Sequence, residues 1–370
     1  IDALIGLLER NDKRVISDII DTLLSMARQD PLAEEYADRL KLEVKKISKH
    51  TYRLIDFLNS VEHVDKEHTL NEVIQHELSK QVPNLLKLGI IDTPATPVES
   101  YLQTIKKQDQ RQMPFVLEVL DNIFEREEKE LITPFVEGLT TEELSKIGEK
   151  HFNEIPISLE KHLSIMISGD KEWASAVATD FTLKHNRTNV LKNIDWDKIV
   201  GSLALKEIIS KYDDIVRDND QLQKFKLNKE ELAMYSTLEK TILLKTVNLF
   251  QTIPTEDLSK VAQIAEEEQF NANIPLFAEG DFGDSLYIIV DGDIKIHKGD
   301  RHIALLGKGA CLGEMALLDQ EPRSADATSE TDATLLKITQ EDFYEIMSSN
   351  MEIMQGIVKL LTGRLRDAIN

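Results

Sequence analysis

Over the first 250 residues apolar positions recur three and four apart, glycine is scarce and strand-like alternation is absent, which predicts a succession of helices. Residues 3–8 and 15–26, separated by Asn11 and Asp12, read as a helical hairpin. The same arrangement recurs at 101–107 with 113–124 and at 159–167 with 173–183. Pro94, Pro97, Pro134 and Pro156 are expected at helix ends, with 92–97 expected as a long loop of this half. Residues 236–250 carry one more apolar-periodic helix. It leads without a flexible tether into an acidic helix start at Pro254, Thr255, Glu256 and Asp257.

Beyond that helix the period changes. Residues 288–290 form a β-branched run ending in Asp291-Gly292, a strand entering a tight turn. Residues 293–297 alternate polar and apolar, as a half-buried strand does. Residues 303–306 and 333–338 read as further strands, with Gly307, Gly309 and the 329–332 cluster between them. Short strands, glycine turns and helices at the end predict a small antiparallel roll with a helical lid. Gly280, Gly283 and Gly292 are expected to supply positive φ at turns.

The candidate chemistry lies in residues 313–327. Gly313 and Glu314 open a short helical run, Met315-Ala316-Leu317-Leu318, and Pro322-Arg323-Ser324-Ala325 follows. Backbone N–H groups at a helix start attract negative charge, and one arginine supplies the counter-charge. Glu314 repels a bare phosphate but accepts a hydrogen bond from a sugar hydroxyl. The combination asks for a small ligand that carries both a phosphate and a ribose.

This segment resembles the phosphate-binding cassette of the cyclic nucleotide-binding domain family. The resemblance runs from about Leu249 to the C-terminus. It includes Phe277-Ala278-Glu279-Gly280-Asp281-Phe282-Gly283-Asp284, then Ser285-Leu286-Tyr287-Ile288-Ile289-Val290-Asp291-Gly292, then the cassette itself. Three signatures in order are far more specific than a single glycine motif. The resemblance implies that Gly313 allows close approach and that the N–H groups of Glu314, Met315 and Ala316 point at a cyclic phosphate. It further implies that Arg323 pairs with that phosphate through its fork of donors. Glu314 would accept from the ribose 2′-OH, Ser324 would bond the phosphate or base, and the Ala325 N–H would close the cradle. Asp326 and Ala327 depart from the family pattern. Strand alternation predicts that the Asp326 carboxylate faces solvent, away from the anion. Residues 351–368 are expected to form a terminal helix closing over the base, with Thr362, Arg364 and Arg366 as candidate contacts. The plainer reading of those three is an exposed helix end with cations near its C-terminus.

Residues 170–178 resemble the second helix of a HEAT repeat, whose small side chains let neighbouring helices approach closely. The period is irregular, and a non-repetitive helical bundle stays open beside it. The expected fold is therefore a multidomain α+β chain: an all-α, HEAT-like array over 1–235, a helical junction over 236–258, and an antiparallel, jelly-roll-like β-roll with flanking helices over 259–370. That order resembles the soluble tails of bacterial membrane carriers of the nucleotide-translocase type, without a sharp motif in the first 250 residues.

Composition narrows the function. The 370 residues carry a net charge of −22, of which about −12 falls in the last ~120 residues, which argues against nucleic acid as a partner. With nothing after Asn370 to form a helix-turn-helix, a transcription factor is not expected. One cysteine, Cys311, and nine histidines give neither a disulfide framework nor a metal site. No apolar run approaches a membrane span and no signal peptide opens the chain, which begins at Ile1. A cytoplasmic piece of a longer protein is expected, at the cytosolic face of the membrane where an upstream membrane domain is covalently attached.

Several features are set aside. Asp281-Phe282-Gly283 lacks the rest of a kinase active site, residues 214–221 read as a solvated loop, and 266–268 as a charged helix face. Cys311 reads as core, and no catalytic set is present. The expectation is a non-enzymatic regulator whose ligand is cAMP or cGMP, with no cofactor and a protein partner on the helical array. The rival is an interaction scaffold carrying a silent terminal domain.

Overall fold

The computed structural model describes residues 1–9, 15–30, 32–107, 109, 111–199, 201–217, 219–228, 231–247, 249–313, 322–349, 351, 353–355, 358 and 362. The chain divides into two compact units, Ile1–His162 and Leu163–Asn370. The hydropathy pattern gives no sign of this division.

The first unit is helical: α1 (Asp2–Glu9), α2 (Ile16–Gln29), α3 (Glu34–Glu62), α4 (Thr69–Gly89), α5 (Val98–Lys107), α6 (Met113–Ile123), α7 (Arg126–Ile132), α8 (Thr141–His151) and the start of α9 (Leu159–Ile167). The expected pairs α1–α2 and α5–α6 are present. Local chemistry fixes several helix starts. At α8 the Thr140 hydroxyl accepts from the Glu143 N–H while the Glu143 carboxylate accepts from the Thr140 N–H, a reciprocal cap. Leu23, Leu40, Tyr52, Leu85 and Ile132 pack into one core along α3. Beside it α3 also buries Asp56. This carboxylate accepts from the Ser145 hydroxyl at 3.2 Å and the Ile157 N–H at 2.8 Å, and meets His162 Nε2 at 2.9 Å.

The second unit opens with α10 (Glu172–Lys184), α11 (Leu203–Lys211), α12 (Asp213–Val216), α13 (Asp220–Gln223), α14 (Thr237–Thr246) and α15 (Thr255–Ile264). Trp173 to Leu183 are buried on every face of α10, which the small side chains Ala174, Ser175, Ala176 and Ala178 permit. The 214–221 stretch is not a plain loop where it is described: residues 214–216 belong to α12 and 220–221 to α13, the latter capped by Asn219, whose side chain accepts from two N–H groups. The α14 helix stops at Thr246, short of residue 250, because Val247 is extended.

Eight strands follow among the described residues: β1 (Glu266–Phe270), β2 (Pro275–Phe277), β3 (Ser285–Asp291), β4 (Ile294–Lys298), β5 (Arg301–Leu306), β6 (Cys311–Leu312), β7 (Asp326–Ser329) and β8 (Ala333–Thr339). They make two four-stranded antiparallel sheets, ordered β1-β8-β3-β6 and β2-β7-β4-β5. Tyr287, Ile289, Leu312, Ala327 and Leu335 line the space between the sheets. Leu286, Ile288, Leu336 and Ile338 face the other way, onto Leu244, Phe250, Leu258 and Phe343 from α14, the α14–α15 turn, α15 and α16 (Gln340–Ser349). Burial on both faces explains why the centre of β3 reads as an unbroken apolar run.

Residues 266–268 are corrected from helix face to strand. Glu267 accepts from the Met234 and Tyr235 N–H groups, each at 3.1 Å, and pairs with Lys240 at 3.1 Å. Glu268 pairs with Lys337 of β8 at 2.9 Å. Polar partners meet the acidic side chains on both faces of the strand, so no apolar alternation marks it.

Candidate anion-binding site

The site is built around Arg323, in the short approach to β7. Its backbone is clamped to the β2–β3 loop: the Gly280 N–H donates to the Arg323 carbonyl at 2.8 Å, and the Arg323 N–H donates to the Asp281 carbonyl at 2.9 Å. The Asp281 carboxylate closes the same loop by accepting from the Ala278 N–H at 2.8 Å. The side chain then folds inward. Only 7 % of Arg323 is exposed, with its guanidinium over the Phe277 ring at 4.2 Å from the centroid.

One guanidinium nitrogen is anchored, since Nη2 donates to the Ser285 carbonyl at 2.9 Å. The other, Nη1, is buried and has no hydrogen-bond partner among the described residues. Nor is Arg323 part of an ion pair among them. Burial lowers its pKa from the usual value, but a guanidinium starts so high that the side chain stays cationic. A buried cation with an open donor is costly unless something completes it.

Two glycines make room for this guanidinium. A Cβ on Gly313 would fall 2.0 Å from Arg323 Nη1 and 2.9 Å from the Ser285 carbonyl oxygen, and Gly313 has φ +81°. The open nitrogen therefore faces the residue where the 313–327 segment begins. A Cβ on Gly283 would fall 2.4 Å from Arg323 Nε. Gly280 and Gly292 take positive φ as expected, at +87° and +85°, but Gly283 does not. Its role is corrected from turn geometry to close approach by the arginine.

The other candidates sort as follows. Ser324 is exposed and Ala325 half-buried, both directly after Arg323. Glu314, Met315 and Ala316 lie outside the described residues, as do Arg364 and Arg366. Thr362 is helical and exposed, and its hydroxyl donates to the Val358 carbonyl, as on an ordinary helix. Asp326 lies opposite to Ala327 on β7 and so away from the interior, but it is not simply solvated: its carboxylate accepts from the Glu279 N–H at 2.8 Å and the Gly299 N–H at 3.0 Å. Sequence reasoning gave no role to Phe277. Its place at the head of the Phe277–Asp284 signature was the available signal.

Residues 267–350 match the family model Cyclic nucleotide-binding domain. The chain is 32% identical over 130 residues to the Cyclic AMP receptor protein of Thermus thermophilus, covering 34% of this chain and 60% of that one. It is 31% identical over 135 residues to a cyclic nucleotide-gated potassium channel of Rhizobium etli, covering 36% and 38% respectively. Among solved structures, a cyclic nucleotide-binding-like protein from Brucella abortus is 36% identical, with 30% of this chain and 97% of that chain covered and a TM-score of 0.28. Within the C-terminal segment, residues 267–350 thus match the cyclic nucleotide-binding domain model. The chain spans less than two thirds of either curated relative. No helix among the described residues is long and apolar enough to cross a membrane.

Proposed function

We propose that the roll binds a 3′,5′-cyclic nucleotide, cAMP or cGMP, and that the protein is a non-catalytic regulator. The observation that carries this reading is the buried Arg323 guanidinium with Nη1 open toward Gly313. A cyclic phosphate placed there receives a charge-assisted hydrogen bond that no described residue makes. Gly313 and the N–H groups of Glu314, Met315 and Ala316 complete the cradle, Glu314 accepts from the ribose 2′-OH, and Ser324 and Ala325 flank the phosphate. Ligand binding draws the terminal segment, roughly 351–368, over the base, to the extent that the ligand prefers that arrangement.

The helical region acts as the effector, a HEAT-like scaffold that carries a protein partner. The all-round burial of α10 supports that reading. In the wider setting we place the chain in the cytoplasm, as the regulatory portion of a membrane transport protein. The match to a protein named as a channel supports this. Reading the gene upstream of Ile1 tests it: a coding run of about 20 apolar residues agrees, and its absence contradicts it.

Calorimetric titration of the chain with cAMP and with cGMP tests the binding reading. Micromolar or tighter binding, corresponding to roughly −8 kcal/mol or better, is expected for one of them. No heat and no thermal shift with either would leave the roll a silent module.

A further inference from the structure

Asp326 stands on the outer face of the roll, paired in register with His297 of β4, while its neighbour Ala327 points into the core. Its two carboxylate oxygens reach different loops: Oδ1 accepts from the Glu279 N–H at 2.8 Å, and Oδ2 from the Gly299 N–H at 3.0 Å. These two N–H groups hold the carboxyl below the usual carboxylate range. His297 Nδ1 lies 3.5 Å from the same carboxylate and 2.8 Å from the Gly299 carbonyl oxygen. Lys298 pairs with Glu279 nearby. The acidic charge that looked misplaced beside an anion site is thus taken up by backbone donors and cations on the far side of the strand.

The loop it fastens is the one that holds Arg323. Residues 278–284 bond the Arg323 backbone in both directions, close on themselves through Asp281, and press Gly283 against the guanidinium. Asp326 ties down Glu279, near the entry of this collar. Without its carboxylate, the Glu279 and Gly299 N–H groups lose their acceptor and the collar loses its outer fastening.

We infer that Asp326 is a positioning residue for the anion site: its carboxylate fixes the 278–284 collar from outside and so sets where the Arg323 guanidinium meets the ligand. This rests on the cyclic nucleotide reading above. Asp326 acts through Arg323 and does not touch the ligand.

The test is calorimetry of the 370-residue chain with cAMP and cGMP, comparing the native protein with Asp326→Ala, Asp326→Asn, Arg323→Lys and the Arg323→Lys/Asp326→Ala double variant. Thermal melts establish that each is folded. Asp326→Ala is expected to weaken binding about tenfold, equivalent to ~1.4 kcal/mol. Asp326→Asn keeps one acceptor, which limits the loss to about threefold and serves where the alanine variant does not fold. In the Arg323→Lys background the same alanine substitution is expected to cost less than about twofold, because the two residues act as one unit. Lys298→Ala removes only an exposed ion pair and is expected to change affinity by less than about twofold. Unchanged affinity in both Asp326 variants overturns the inference, as does an equal loss in both backgrounds. If the native chain binds neither nucleotide, the site reading fails first, and that result is distinct from native binding that ignores Asp326.

Discussion

Each unit of this protein buries a charge, and the two are treated in opposite ways. Asp56 in the helical unit has three polar neighbours on its two oxygens: the Ser145 hydroxyl, the Ile157 N–H and His162. Arg323 in the roll has one nitrogen anchored on Ser285 and another left open beside a glycine with no room for a side chain. A buried charge whose partners all come from within ties elements of the fold together. A buried charge held rigid and left incomplete is arranged for a partner from outside. The first is a structural node, the second the binding site proposed above.

The sharpest way to break that contrast is to remove each charge in turn. Asp56→Ala is expected to destabilise the first unit by about 3 kcal/mol in denaturant unfolding, and to leave nucleotide affinity unchanged. Burial pushes the Asp56 carboxyl up, but the His162, Ile157 and Ser145 contacts outweigh it, so its pKa is lowered on folding. The sign follows: its stabilising share is complete above the ordinary carboxylate value near about 3.9 and is lost as pH falls through the lower folded value. Acid titration of the native chain is expected to show this component, and Asp56→Asn to lack it. Arg323→Ala is expected to do the reverse. It should cost about 100-fold in nucleotide affinity, ~2.7 kcal/mol, with little change in melting temperature, because the lost cation was only partly satisfied by the protein.

Smaller changes refine the contrast. Gly283→Ala places a Cβ 2.4 Å from Arg323 Nε, so the guanidinium must shift. About tenfold weaker binding, ~1.4 kcal/mol, is expected by calorimetry. Thr140→Ala removes the reciprocal cap of α8 and is expected to cost about 1 kcal/mol of stability in the first unit, without effect on binding.

Much of this arrangement was legible in the sequence, and the parts that were not have physical reasons. The α1–α2 and α5–α6 pairs announced themselves by apolar period, as did the separate helices α9 and α10, and β4 and β8 by apolar pattern. Arg323 and Gly313 stood out because an anion cradle needs a fork of donors and a backbone without Cβ. Gly283 was misassigned because the need for glycine came from a distant side chain, and sequence spacing does not show close approach. Residues 266–268 were misread because the charges of β1 are answered by Lys240, Lys337 and backbone donors, leaving no hydropathic alternation. The Asp326 carboxylate was placed on the correct face, but its bonds to Glu279 and Gly299 depend on two loops that only the folded roll brings together. The division after His162 falls inside α9, where no proline or glycine marks it.

The central claim is that the open Nη1 of Arg323 is the phosphate contact. The most direct test compares a cyclic nucleotide with its own nucleoside, which lacks the phosphate, on the native chain and on Arg323→Ala. The expected result is that the native protein strongly prefers the nucleotide and that the variant loses this preference while binding the nucleoside as before. An equal preference for the nucleotide in both proteins would contradict the claim and place the phosphate elsewhere.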